Sequence, residues 1–438
     1  MNDSPGKARS DYLSAKEAVE LLDIRQHTLY AYVSRGWIGS VKQPGRKDHL
    51  YLRSDVERMG ARSLARAGHG AVAASAMHHG EPIIPTSITE ITADGPRYRG
   101  HLATDLVQRR VPFESVAELL WSGVLDEAGA PWEVPPPSKA LRALVASLRS
   151  PRAGDQLLEI FALVTLHLGV GHGAIADRLR RGQTLQVARE IMRTLVGCCG
   201  LASPRGDYVQ IRKGQSLAQG FLQAFGGVDS DQNRAAVEAM LILLADHELS
   251  PGTLSARVCA SSGATLSACI ASALCASAGV NVGRVFDRVD RFVQGATSLP
   301  ALLRRAAAFR ARAAAIPGFM HPLYPHGDPR ARLLFEMVRR RSPQTRELRA
   351  IAHFVDACER ETGLHARHEL AMVALTRAMQ LPPQAPSALF VLGRTAGWVA
   401  HVREQRLSGQ LLRPRAKFTS AAPGTQAAAP WSDTLDAA

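Results

Sequence analysis

Five side chains suggest what this 438-residue chain could bind: His247, His321, Arg330, Arg394 and Arg413. A guanidinium grips a carboxylate through two parallel hydrogen bonds. A histidine can donate to a ketone oxygen, and that bond strengthens as negative charge develops there. Three arginines and two histidines thus supply what a four-carbon dicarboxylate with a keto group needs. Singly, each reads as an ordinary surface or capping residue; what selects these five as a set is the series of motifs in which they fall, given below. The cysteines point nowhere comparable. Cys198, Cys199, Cys259, Cys269, Cys275 and Cys358 form no Cys-x-x-Cys pair and read as core thiols. His78 and His79 are adjacent but lack further ligands at metal spacing. No metal site is expected.

The elements that must position these residues are helices. Residues 82–416 are dense in helical periodicity, for example at 113–121, 235–244 and 370–379, with strand signals confined to short pieces near 83–91. They read as one large all-α body. The chain is too long for a single compact core, and 46% apolar with 5% aromatic residues suits an Ala- and Leu-rich helical globule. Residues 61–81 read as a linker, partly helical near 62–66, and residues 417–438 as a flexible tail. No apolar run reaches the roughly 20 residues of a membrane span. The N-terminus is charged and has no apolar core of a signal peptide, so a cytoplasmic location is the default.

Residues 1–60 form a separate small module, folded from about residue 13. Ser14-Ala-Lys-Glu17 is a capping box opening a helix through Leu22. A second helix is expected over 25–35, ending at Gly36. SVKQPGRKDHLYL then predicts a β-hairpin around Pro44-Gly45, and Ser54-Asp-Val-Glu57 a third helix. This order resembles the winged helix-turn-helix of the MerR and excisionase type. Between residues 25 and 47 there are five basic residues and no acidic one. That face predicts DNA contact through Arg25, Arg35, Arg46 and Lys47. A protein-interaction role remains open, since such modules also dimerise. The net charge of +14 suits nucleic acid or phosphate-bearing ligands but equally a solubilising surface.

In the large body six segments recur in series: SITEITADGPRYRG (87–100), FESVAELLWSG (113–123), ADHELSPGTLSARV (245–258), IPGFMHPLYPHGDPRARLLFE (316–336), LGRTAGWVAHVREQ (392–405) and LLRPRAKF (411–418). In this order and spacing they resemble the citrate synthase family over about three quarters of the chain. The resemblance implies a two-lobed all-α body with a smaller lobe at about 284–378 that closes over oxaloacetate, and a homodimer or larger homo-oligomer. It implies oxaloacetate binding by His247, His321, Arg330, Arg394 and Arg413, with His321 polarising the ketone. Acetyl-CoA enters as co-substrate, and no cofactor is bound.

The acyl half departs from the family. Its Gly-x-x-His-Gly-Gly motif, whose histidine steadies the enolate of the acyl group, is matched by CASAGVNVGRVFD (275–287). Gly279 and Gly283 align, Val282 stands at the histidine and Arg284 at the second glycine. The family's Asn-x-Asp, which carries the catalytic base, reads Arg367-His368-Glu369. Glu369 keeps the carboxylate with one more methylene, which can misalign a base. His368, about 100° around the helix, is expected to point elsewhere.

Two function classes follow. One is an acyltransferase that condenses acetyl-CoA or a related acyl-CoA with oxaloacetate to citrate and CoA, impaired by Val282. The other is an inactive member: a dicarboxylate- or CoA-sensing DNA-binding regulator, or the partner subunit of an active paralogue.

Overall fold

A computed structural model of the chain describes residues 12–22, 24–34, 38, 40–42, 49–52, 56, 84–150, 152–172, 181–341 and 345–414. The chain divides into two compact units: Met1–Ile84 with Arg413–Ala438, and Pro85–Leu412.

The first unit contains β1 (Tyr12–Leu13), α1 (Ala15–Leu22), α2 (Gln26–Ser34), β2 (Ser40–Lys42) and β3 (His49–Leu52). The capping box at its front is formed: Ser14 N–H donates to Glu17 Oε2 (2.8 Å) and Glu17 N–H to Ser14 Oγ (3.3 Å). The strands run antiparallel in the order β1-β3-β2, pairing Tyr12 with Leu52 and Lys42 with His49. Leu13, Ala18, Leu22, Leu29, Ile38, Tyr51 and Val56 are its buried core. Arg25 is exposed. Arg35, Arg46 and Lys47, the third helix apart from Val56, the 61–81 linker with His78 and His79, and the 417–438 tail lie outside the described residues.

The second unit opens with a meander of β4 (Thr89–Thr92), β5 (Gly95–Tyr98) and β6 (His101–Leu102). This sheet runs further than the strand signal near 83–91. Gly95 and Gly100, at φ +119° and +90°, make the two turns, and the strands between them are too short to show a period. Helices follow: α3 (Ala103–Gln108), α4 (Phe113–Ser122), α5 (Lys139–Ser147), α6 (Leu157–His172), α7 (Arg181–Cys198), α8 (Leu217–Phe225), α9 (Asp231–Leu243), α10 (Pro251–Ser261) and α11 (Leu266–Ser277). After them come α12 (Val285–Val293), α13 (Leu299–Ala311), α14 (Pro329–Arg340), α15 (Arg346–Thr362), α16 (His368–Ala378) and α17 (Ala385–Ser408). Ser138, Ser230, Thr265 and Thr345 each accept a backbone N–H at a helix start, satisfying donors that the helix itself leaves open.

α17 is the axis of the body. Every residue from Ala385 to Val402 is buried, as expected of a helix surrounded on all sides. It packs against α4, α6, α7, α9, α10, α11, α12 and α16. The helices from α12 to α16 pack largely on one another, α14 on α16, α13 on α15 and α12 on both α13 and α16. α14 also touches α3 and α9. Among the described residues no helix is long and apolar enough to cross a membrane.

Candidate functional site

His321 stands on a strained loop. Gly318 has φ +80°, and a side chain there would come within 2.8 Å of Leu370 Cβ. Met320 takes φ 59° despite carrying a side chain; such strain tends to gather where a site needs a set geometry. Three backbone contacts tie this loop to residues 365–367. Met320 N–H donates to His365 O (2.9 Å), Arg367 N–H donates to Gly318 O (2.8 Å), and Phe319 bridges Ala366. Because His368 opens α16, this pairing sets the two imidazoles side by side, 6.0 Å between centroids. His321 Nδ1 accepts the Leu323 N–H at 3.2 Å. In a neutral ring the proton is then on Nε2.

His247 arrives from the other side, just beyond α9, followed by Glu248 at φ 54°. Its ring lies edge-on to His321 at 5.5 Å, and its Nε2 shares a 3.2 Å hydrogen bond with the Tyr324 hydroxyl. Behind it runs a buried chain. Asp246 Oδ2 is 3.2 Å from His401 Nε2, His401 Nδ1 is 3.2 Å from Arg257 Nη1, and that nitrogen also donates to Glu404 at 2.8 Å. It fastens α10 and the His247 segment to α17.

The arginines come in on helices. Asp328 caps α14 and grips Arg330 three times: the backbone N–H at 3.0 Å, Nε at 2.9 Å on one oxygen, and Nη2 at 2.9 Å on the other. Arg330 Nη1 stays buried without a hydrogen-bond partner among the described residues, and the guanidinium lies 5.1 Å over the Tyr324 ring. Arg394 depends on two glycines of α17. A side chain at Gly393 would meet Leu241 O at 2.8 Å, and one at Gly397 would meet Asp246 Oδ1 at 2.3 Å. Only glycine lets α17 pass so close to the chain bearing His247, which puts Arg394 in the same cleft. Its Nε and Nη1 are buried and unpartnered among the described residues.

The electrostatics favour an anion. Burial, then the Arg330 charge, pushes His321 down to about 3. Burial, then Arg330 and Arg394, holds His247 well below the usual imidazole range, and burial with Arg330 lowers His368. Burial draws Arg394 down to about 10, and only partly does the Asp246 charge oppose it. Burial would raise Asp328, but Arg330 and His368 hold its carboxyl well below the ordinary range. Three imidazoles held below their ordinary range thus face two guanidiniums; Asp328 is engaged by Arg330, and Asp246 only partly offsets the burial of Arg394. His321, Asp328 and His368 offer ligand atoms within 4.8 Å of one another. Both Asp328 oxygens already accept from Arg330, however, and a guanidinium at that distance would repel a metal ion.

The structure gathers His247, His321, Arg330 and Arg394 across 147 residues of sequence, and leaves Arg413 exposed in the other unit. Glu369 is buried, but its carboxylate is engaged by Arg367 through Nε at 3.0 Å and through Nη2. Burial would raise Glu369; His368 and Arg367 more than offset it and lower it. His368 corrects the expectation from helical angle. Its Nδ1 lies 3.1 Å from Asp328 Oδ2 and 3.4 Å from Glu369 Oε2, because it is the first residue of α16 and follows extended backbone at Arg367, φ −92° and ψ 163°. Asp328 and Tyr324 were also missed; the Asp-Pro start of α14 was the available signal for the first. Val282 is partly buried against the hydrophobic core. Arg284 reaches the Ala278 and Asp155 carbonyls, at 3.2 and 3.1 Å, and the Glu159 carboxylate.

Comparison with known proteins bears on the family and the fold. Citrate synthase 2 of Bacillus subtilis is 29% identical over 220 residues, 49% of this chain and 57% of that protein. The 2-methylcitrate synthase of Shewanella oneidensis is 24% identical over 380 residues, 77% of this chain and 92% of that one. The citrate synthase of Thermoplasma acidophilum, solved with carboxymethyl coenzyme A and oxaloacetate, superposes with a TM-score of 0.63 at 18% identity over 81% of this chain and 97% of that one; it shares the fold. Residues 77–415 match the family model described as citrate synthase, C-terminal domain. With more than three quarters of its length matched, the chain belongs to the citrate synthase family.

Proposed function

We propose that the chain condenses acetyl-CoA or a related acyl-CoA with oxaloacetate, releasing CoA. The observation that carries this reading is the pair of buried guanidiniums, Arg330 and Arg394, with nitrogens unpartnered among the described residues, in a cleft that also holds His247 and His321. A buried donor left without an acceptor is costly. A dicarboxylate satisfies it, and His321 Nε2–H donates to the ketone oxygen. His321 stays neutral beside Arg330, so it polarises without adding positive charge. Arg413 belongs to the proposed carboxylate set. It is exposed in the single chain. Closure by the 284–378 lobe, a homodimer and a cytoplasmic location complete this reading. Val282 at the place of the family's enolate-steadying histidine makes the acyl half the weaker one. Release of CoA from several acyl-CoAs by the purified full-length protein with oxaloacetate is the test. Oxaloacetate binding with no turnover for any of them would replace this reading by the sensing one.

For residues 1–60 the proposal is a winged helix-turn-helix module that contacts DNA through Arg25, Arg35, Arg46 and Lys47. Support comes from α1 and α2 following each other closely, the antiparallel pair β2–β3 behind them, and Arg25 being exposed. Affinity should fall steeply with salt if those residues meet phosphates. No binding to mixed-sequence duplex at low salt would point to an interaction module instead.

A further inference from the structure

We propose that His368, held by Asp328, is the base that takes the proton from the acyl α-carbon, in place of a carboxylate. This rests on the acyltransferase reading. The argument is geometric. His368 Nδ1 faces Asp328 Oδ2 at 3.1 Å, and its backbone N–H donates to the same oxygen at 3.2 Å. The ring is therefore held with its proton on Nδ1, which leaves the Nε2 lone pair, unpartnered among the described residues, to accept. A nitrogen of His368 lies within 4.8 Å of one of His321, so the base stands beside the group that meets the ketone. Asp328 is itself fixed by Arg330, which gives a buried Arg–Asp–His series reaching the cleft. Glu369 is poorly placed for the same task, because Arg367 engages both of its oxygens and an ion-paired carboxylate is a weaker base. His368 is kept neutral by burial and by Arg330, so its lone pair is present at neutral pH.

The step balances. The acyl C–H bond breaks and its proton passes to His368 Nε2. The electron pair forms the enolate, whose carbon bonds to the ketone carbon while the ketone oxygen becomes an alkoxide held by His321 Nε2–H. The proton on His368 neutralises the alkoxide and restores the base. Water then hydrolyses the thioester, giving the carboxylic acid and CoA thiol.

The test uses the full-length protein and two readouts. One is CoA release with oxaloacetate. The other is loss of deuterium to water from methyl-deuterated acetyl-CoA in the presence of malate, a dicarboxylate that lacks the ketone and cannot condense. His368→Asn should lower both by about 10²–10⁴-fold while oxaloacetate still raises the melting temperature. Glu369→Gln should lower them less. His368→Gly should regain exchange when imidazole is added, a response that a purely structural histidine would not give. His368→Asp should move the acid limb of the rate profile to lower pH. Equal or greater loss in Glu369→Gln, or no imidazole rescue together with an unmoved pH profile, overturns the assignment. Wild-type protein that binds oxaloacetate but shows neither turnover nor exchange with any acyl-CoA sinks the acyltransferase reading itself.

Discussion

The loop of His321 and the loop of Val282 share one device and differ in what it serves. Each turns on a glycine that nothing else can replace. A side chain at Gly318 would sit 2.8 Å from Leu370 Cβ, and one at Gly283 would sit 2.3 Å from Ser277 O. After Gly318 the chain presents His321 to Arg330, His247 and Tyr324. Beside Gly283 it presents Val282, packed on the core, and Arg284, turned to Glu159. Backbone shape and chemical function are thus separable. Steric demand fixes the course of a loop whatever chemistry its side chains carry. On the proposed reading the first loop belongs to a dicarboxylate half of the site and the second to an acyl half.

The strongest way to break this contrast is to attack the dicarboxylate half. Arg330→Met leaves Asp328 buried without its main partner, and breaking a buried pair on one side costs about 3–5 kcal/mol. Urea unfolding should show that loss before any ligand is added. An unchanged midpoint would mean that the Asp328–Arg330 pair holds little. Arg394→Met should behave in the opposite way in the free protein. Arg394 has buried nitrogens with no hydrogen-bond partner among the described residues, so an apolar replacement should raise the melting temperature of the free protein while removing its rise with oxaloacetate, a loss of about 2–5 kcal/mol in binding. Retained oxaloacetate stabilisation in Arg394→Met would remove the central support for the functional reading.

The acyl half offers a gain instead. Removing one oxyanion donor from a working site costs about 10²–10³ in rate. Installing one in a site not shaped for it should recover only part, so Val282→His is expected to raise CoA release about tenfold. Arg284→Gly should add to that only when the histidine is present, since the two would act on the same thioester. A Val282→His protein no faster than wild type would mean that the 279–284 loop does not border the acyl group.

How much of this was legible in the sequence follows from range. The helical body and α4, α9 and α16 were readable because their apolar period is local. His247, His321, Arg330 and Arg394 were proposed from motifs, each a short run. His368 was missed because a rule for residues inside a helix was applied to its first residue, whose direction is set by extended backbone at Arg367. The Asp328 grip on Arg330 and His368 joins residues 40 apart, which no window shows. The short strands β5 and β6 carry too few residues for a period, and their glycine turns were the only local mark.

Acid offers the mildest test, and it too separates the halves. His247, His321 and His368 are all held below the ordinary imidazole value of 6.5. They are faced by Arg330, Arg394 and Arg367 as cations, by Asp328 and Glu369 as anions, and by the Tyr324 hydroxyl. In the unfolded chain these histidines take up protons near pH 6.5 while the folded cleft refuses them. The unfolded state then binds more protons, so stability is full above about pH 6.5 and falls as the pH drops toward the folded values. At about pH 5.5, one unit below the ordinary value, each contributes at most about 1.4 kcal/mol, and partly exposed His321 less. His321→Asn should therefore flatten the melting curve against pH between about 6.5 and 4 by up to roughly 1 kcal/mol. Oxaloacetate should also flatten it, because a bound dianion favours the protonated rings. Val282→His is the informative contrast: if residue 282 lies outside the field of Arg330 and Arg394, a histidine there should titrate nearer its ordinary value and leave the acid slope as it was. A steeper slope would place residue 282 inside the cationic cleft, and the two halves would then share one electrostatic site.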